Sequence, residues 1–138
     1  MLGPAAVARA FGALLAAQRM GFGYDGRVQR SPVPPLEPGA RGELSVTILD
    51  EVPQSQSLLV RLQSDAVAVP DNRLGFRDVV DAQAQQLRVR ARFVAPQQPG
   101  SYDVEGLVEY VGCNDQRCRP YRARVVWTIE VVAPEPVD

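Results

Sequence analysis

Cys113 and Cys118 are the two residues whose type and spacing most plainly offer chemistry. They are the only cysteines in the 138-residue chain, and both fall in residues 110–121, YVGCNDQRCRPY. Four residues separate them, Arg117 and Arg119 flank the second, and Pro120 follows. The chain has no histidine and no lysine, so all 15 basic residues are arginine. Ser–His and Cys–His pairs, lysine Schiff bases and histidine metal sites are therefore excluded. No spacing of serines or carboxylates advertises a second nucleophilic site.

Spacing alone leaves three uses for the pair. In the first it is a redox-active disulfide. Closing so small a ring removes little unfolded-chain entropy, so the bond is a poor staple that is readily made and broken. Arg117 and Arg119 would favour the Cys118 thiolate, the form that attacks disulfides, while Asp115 would oppose this or hold an arginine in place. In the second use the bond is inert and locks the end of a hairpin. In the third the thiolates bind metal. Zinc wants four ligands and finds only two here, which leaves two-coordinate Cu(I).

The elements that must position the pair read as strands. Residues 43–48 alternate, with Leu44, Val46 and Ile48 on one face and Glu43, Ser45 and Thr47 on the other. Leu58, Val60 and Leu62 repeat the pattern. Leu87, Val89, Ala91 and Phe93 do so again, with Arg88, Arg90 and Arg92 facing out. A period of two marks half-buried strands. Shorter strand-like pieces lie at residues 24–29 and 66–69. Residues 71–86 read as a loop with room for a helical turn around Phe76. The arginine row is expected to pair across strands with Glu105 and Glu109 rather than to form a nucleic-acid stripe.

The last two strands, residues 103–112 and 121–132, bracket the cysteines. The expected register sets Tyr110 opposite Ala123, Val108 opposite Val125, Glu109 opposite Arg124 and Gly106 opposite Trp127. It satisfies apolar, charge and size constraints together. In it Tyr110 points inward, as packing beneath the site. About seven short strands separated by turn signals predict an all-β fold, an antiparallel β-sandwich of immunoglobulin type, with a small barrel as the alternative.

Outside these strands the chain is less regular. Residues 5–17 are mostly apolar with Arg9 inside, too short and interrupted to span a membrane. They read either as an export signal lacking its basic start or as an amphipathic helix, so residues 1–22 form a leader and residues 23–138 the domain. Residues 33–42 hold PVPPLEP, an extended connector, with a proline-motif ligand as the alternative. The net charge of −1 gives no case for binding nucleic acid or an anionic membrane surface.

The segment VEYVGCNDQRCRPY resembles the N-terminal, immunoglobulin-like domain of the thiol:disulfide interchange protein DsbD family. Tyr110, Cys113, Asn114, Asp115, Cys118 and Pro120 match its motif, and the strand pattern extends the likeness more weakly over residues 38–132. The loop is shorter than in the best-known member, and Arg119 precedes a lone Pro120. The resemblance implies a periplasmic or otherwise extracytoplasmic domain. Such a domain relays reducing equivalents from a membrane thiol transporter to thioredoxin-like proteins, including those serving cytochrome c biogenesis. It implies protein-disulfide reductase activity with no cofactor, no metal and no small-molecule substrate. Cys118 would form the mixed disulfide with partners and Cys113 would resolve it. Phe76 would be the aromatic cap that shields the pair, or else core. The rival expectation is a non-catalytic immunoglobulin-like interaction module with a structural disulfide.

Overall fold

The alternation read from the sequence becomes two sheets packed face to face. The computed structural model describes residues 24–134. The apolar stretch of residues 5–17 and the leader assignment lie outside them. The strands are β1 (Tyr24–Asp25), β2 (Val28–Arg30), β3 (Arg41–Ile48), β4 (Leu58–Gln63), β5 (Arg73–Leu74), β6 (Arg88–Val94), β7 (Gly100–Cys113) and β8 (Cys118–Val131). A 3-10 turn, Phe76–Asp78, lies between β5 and β6. One sheet runs β1-β8-β7-β4-β5 and the other β2-β3-β6. Between them lie Leu44, Val46, Ile48, Val60, Val89, Phe93, Val104, Val108, Trp127 and Ile129, all buried.

The connectivity is that of an immunoglobulin-like sandwich. The N-terminal strand is split: β1 runs parallel to β8 in one sheet, and β2 pairs antiparallel with β3 in the other. From β3 in the three-stranded sheet the chain crosses to β4 and β5 in the five-stranded one, returns to β6 and crosses again to β7 and β8, in the Greek-key manner. A second hallmark is Tyr102, near the start of β7. Its hydroxyl donates to the carbonyl of Gln98, four residues upstream, at 2.7 Å. That is a tyrosine corner, which closes the crossover from one sheet to the other. Tyr102→Phe removes only this bond, and the expected loss is about 1 kcal/mol, read from the urea midpoint.

Three expectations need correction. First, the β7–β8 register is slipped by two residues. Tyr110 faces Tyr121, Val108 faces Ala123, Glu109 faces Arg122 and Gly106 faces Val125. The cause is at the tip, where Cys113 lies directly opposite Cys118. The expected register would have set Cys113 against Pro120. A slip of two preserves which face each side chain takes, so Tyr110 still points inward.

Second, the arginine row of β6 does not meet Glu105 and Glu109. β6 pairs with β3 in the other sheet, where Arg90 lies 4.0 Å from Glu43. Glu109 instead bridges Arg61 and Arg122, and Glu105 pairs with Arg124 at 2.5 Å. Third, the strand expected over residues 24–29 is two strands in two sheets. Residues 66–69 give only an isolated bridge, Ala68 to Val94, and the nominal loop after residue 70 contains β5.

Candidate functional site

β7 and β8 are each 14 residues long and form the longest hairpin of the fold. The hairpin carries the disulfide to its tip, beyond the last core residues. Cys113 and Cys118 are bonded, with Cα atoms 4.0 Å apart. The turn between them is built by Asn114. Its amide N–H donates to the Arg117 carbonyl at 3.0 Å, and its Oδ1 accepts from the amides of Gln116 and Arg117, both at 2.9 Å. One short side chain thus satisfies the backbone of a four-residue turn, the usual work of asparagine there.

The two cysteines are not equivalent. Cys118 is exposed and Cys113 half-buried. Strand alternation puts both on the outer face of the five-stranded sheet, in line with Val111 and Glu109 on β7 and with Pro120 and Arg122 on β8. Arg117 and Asp115 are exposed in the turn, and Pro120 is exposed next to Cys118. Arg119 is half-buried and sits opposite Gly112. Phe76 opens the 3-10 turn and is half-buried against the core. Of the residues singled out from sequence, the structure therefore gathers Cys113, Asp115, Arg117, Cys118, Arg119 and Pro120 at one tip. It places Tyr110 three residues beneath them and Phe76 on the core.

No protein-family model matches the chain, and no curated protein does. Among solved structures, the chain is similar to AggA, the major subunit of aggregative adherence fimbriae type I from Escherichia coli. The likeness is 11% in identity with a TM-score of 0.40, over 78% of this chain and 94% of that one. At that level it bears on neither the site nor an activity.

Beneath the disulfide lies a polar cluster that spacing did not reveal. The Tyr110 side chain is buried and stacks on Tyr121, its partner across the strands, with ring centroids 5.2 Å apart. Both rings lie against Gly112. A Cβ there would stand 3.0 Å from Tyr121 Cε2 and 3.2 Å from Tyr110 Cε2, so the position has little space for a side chain. The Tyr110 hydroxyl donates to Asp50 Oδ2 and accepts from the Arg27 amide at 3.1 Å. Asp50 Oδ1 accepts from the Arg27 guanidinium at 2.7 and 3.2 Å.

Burial works against ionisation of Asp50, but the bonds from Tyr110 and Arg27 outweigh it and hold its carboxyl below the usual range. Burial, and then the bond to Asp50, push the Tyr110 phenol well above the ordinary tyrosine range, so it remains a donor. Because the Asp50 pKa is lowered, the cluster's contribution is complete above the ordinary carboxylate pKa. It is lost as pH falls through the lowered one.

Asp50 escaped the sequence reading because it is 60 residues from Tyr110. The one available signal was its place at the end of the β3 alternation, where a carboxylate next to a buried edge needs a partner. Among the described residues no group of three or more His, Cys, Asp or Glu side chains could hold a metal ion. Among them, too, no helix is long and apolar enough to cross a membrane.

Proposed function

We propose that this domain exchanges its Cys113–Cys118 disulfide with dithiols of thioredoxin-like proteins outside the cytoplasm, as the DsbD-like motif implies. A membrane thiol transporter would be the other end of the relay. The observation that carries the reading is the placement of an exposed cysteine, Cys118, at a hairpin tip outside the core. A partner can reach it without disturbing the sandwich.

The exchange is a pair of in-line displacements. A partner thiolate attacks Sγ of Cys118. The Cys113–Cys118 bond breaks, a mixed disulfide forms, and Cys113 leaves as a thiolate that takes up a proton. The partner's second thiolate then attacks the partner's own sulfur in the mixed disulfide and releases Cys118. Two electrons and two protons end on this domain, and the partner leaves oxidised. Run in reverse, the reduced pair reduces a second partner, with Cys118 attacking and Cys113 resolving. The sandwich contributes placement: the half-buried Cys113 stays close to resolve, and the exposed Cys118 meets the partner.

The test is the reduction potential of the pair, measured by equilibration in thiol buffers with near-ultraviolet circular dichroism followed in parallel. The expected result is a potential of about −270 to −120 mV with the fold unchanged in both states. A value below about −300 mV would mark a bond that thiol pools do not open, and the module with a structural disulfide would replace this reading.

A further inference from the structure

The loop of residues 49–57, between β3 and β4, is fastened to the disulfide hairpin along one side. The Cys113 amide donates to the Glu51 carbonyl at 2.9 Å, and the Val111 amide to the Ser57 carbonyl at 3.0 Å. The start of this loop is itself tied down. Leu49 N–H donates to the Arg27 carbonyl at 2.9 Å, and Val52 is buried in the core. Between them, Asp50 holds Tyr110 through one carboxylate oxygen and Arg27 through the other. Consecutive residues of the loop thus grip β7 at two points three residues apart: Asp50 at Tyr110, and Glu51 at Cys113.

We propose that Asp50 is a positioning residue for the disulfide. Its carboxylate latches the loop to Tyr110 and Arg27, and the latched loop holds the Glu51 carbonyl on the Cys113 amide, so that Cys118 is the sulfur offered for attack. Two physical effects follow from that placement. The loop screens Cys113 from water, which disfavours its thiolate, and the carbonyl dipole beside it acts in the same sense. Cys118, by contrast, is exposed at the turn. The latch therefore creates the inequality on which the exchange proposed above depends, and this inference rests on that reading.

The experiment uses chemically reduced protein and iodoacetamide, with the two cysteines quantified by peptide mass over a pH series. In the native chain Cys118 should react about tenfold faster than Cys113 near neutral pH, because the thiolate is the reactive form. In Asp50→Ala the ratio should fall to about threefold or less, with the pH profile of Cys113 moving to lower pH. Asp50→Asn should keep the native ratio, since its oxygen can accept from Arg27 and its amide can donate to the Tyr110 oxygen. If Asp50→Ala does not fold, Tyr110→Phe, which removes one hydroxyl, should give an intermediate ratio.

A native ratio near one would overturn the proposal. So would an unchanged ratio in folded Asp50→Ala, or in Tyr110→Phe where that variant stands in for it. Neither partner nor enzyme takes part in this readout. Failure of thioredoxin-like proteins to reduce the domain would remove the exchange reading while leaving the alkylation asymmetry in place. Equal asymmetry in native and variant would remove the latch and leave exchange intact.

Discussion

Cys118→Ser is expected to abolish disulfide exchange, and Cys113→Ser to arrest it at the mixed disulfide. Removing the exposed sulfur takes away the atom a partner attacks, so exchange should fall to the level of a cysteine-free domain. Removing the half-buried sulfur takes away the resolving thiol. A partner disulfide attacked by Cys118 then stays joined to the domain, and the covalent complex accumulates on a non-reducing gel. Neither variant should unfold. Closing so small a ring is worth about 2 kcal/mol in the chain-entropy model, against the roughly 5–15 kcal/mol that holds a domain of this size together. Circular dichroism of both variants should therefore match the native chain. If Cys118→Ser instead supports exchange through Cys113, the assignment of roles is reversed. If either substitution unfolds the domain, the bond is a staple.

Which parts of this arrangement could be read in advance depends on the range of the forces involved. Inward and outward faces were legible for every long strand, because burial of one sheet face writes a period of two into the residues themselves. The register was not. Arg122 and Arg124 both face outward on β8, so Glu109 finds an arginine in either of two registers, and the inward face of β8 is apolar in both. The covalent pairing of Cys113 with Cys118 decides between them, since the disulfide belongs to residues directly opposite one another.

The cysteine tip was legible for the same reason that it is simple: it is local in sequence. The Asp50–Tyr110–Arg27 cluster joins three distant segments by hydrogen bonds that leave no periodic trace. The tyrosine corner at Tyr102 is local, but only topology gives it meaning. β5 is two residues long and carries no pattern at all. The arginine row of β6 shows the same limit from the other side. Its outward face was legible, but its partner strand was not, because charge complementarity does not say which sheet a strand joins.

Trp127→Ala should be the most destabilising single substitution in the core, costing about 3–5 kcal/mol and thus much of the stability of the fold. The indole is 2% exposed and does two jobs. Its Nε1–H donates to the Ser45 carbonyl at 3.2 Å, which ties β8 to β3 across the sandwich. Its six-membered ring fills the slot over Gly106, although the slipped register makes that contact diagonal rather than direct. A Cβ at Gly106 would stand 2.8 Å from Trp127 Cζ3, with Val125 Cγ2 at 3.1 Å and Leu62 Cδ2 at 3.2 Å.

Three neighbours on two flanking strands, Val125 and Trp127 on β8 and Leu62 on β4, cannot all give way, so Gly106→Ala is expected to cost about 1–3 kcal/mol by overpacking. The two effects should be coupled. In a Trp127→Phe background the ring is smaller, and adding the Gly106 methyl should cost less than in the native chain by about 1 kcal/mol, measured as a double-mutant cycle in urea. Additive costs would mean that the glycine slot and the indole are independent. Because the disulfide sits at the far tip of the same hairpin, Gly106→Ala should leave the reduction potential where it was. That outcome would separate the residues that hold the sandwich from those that present the sulfur.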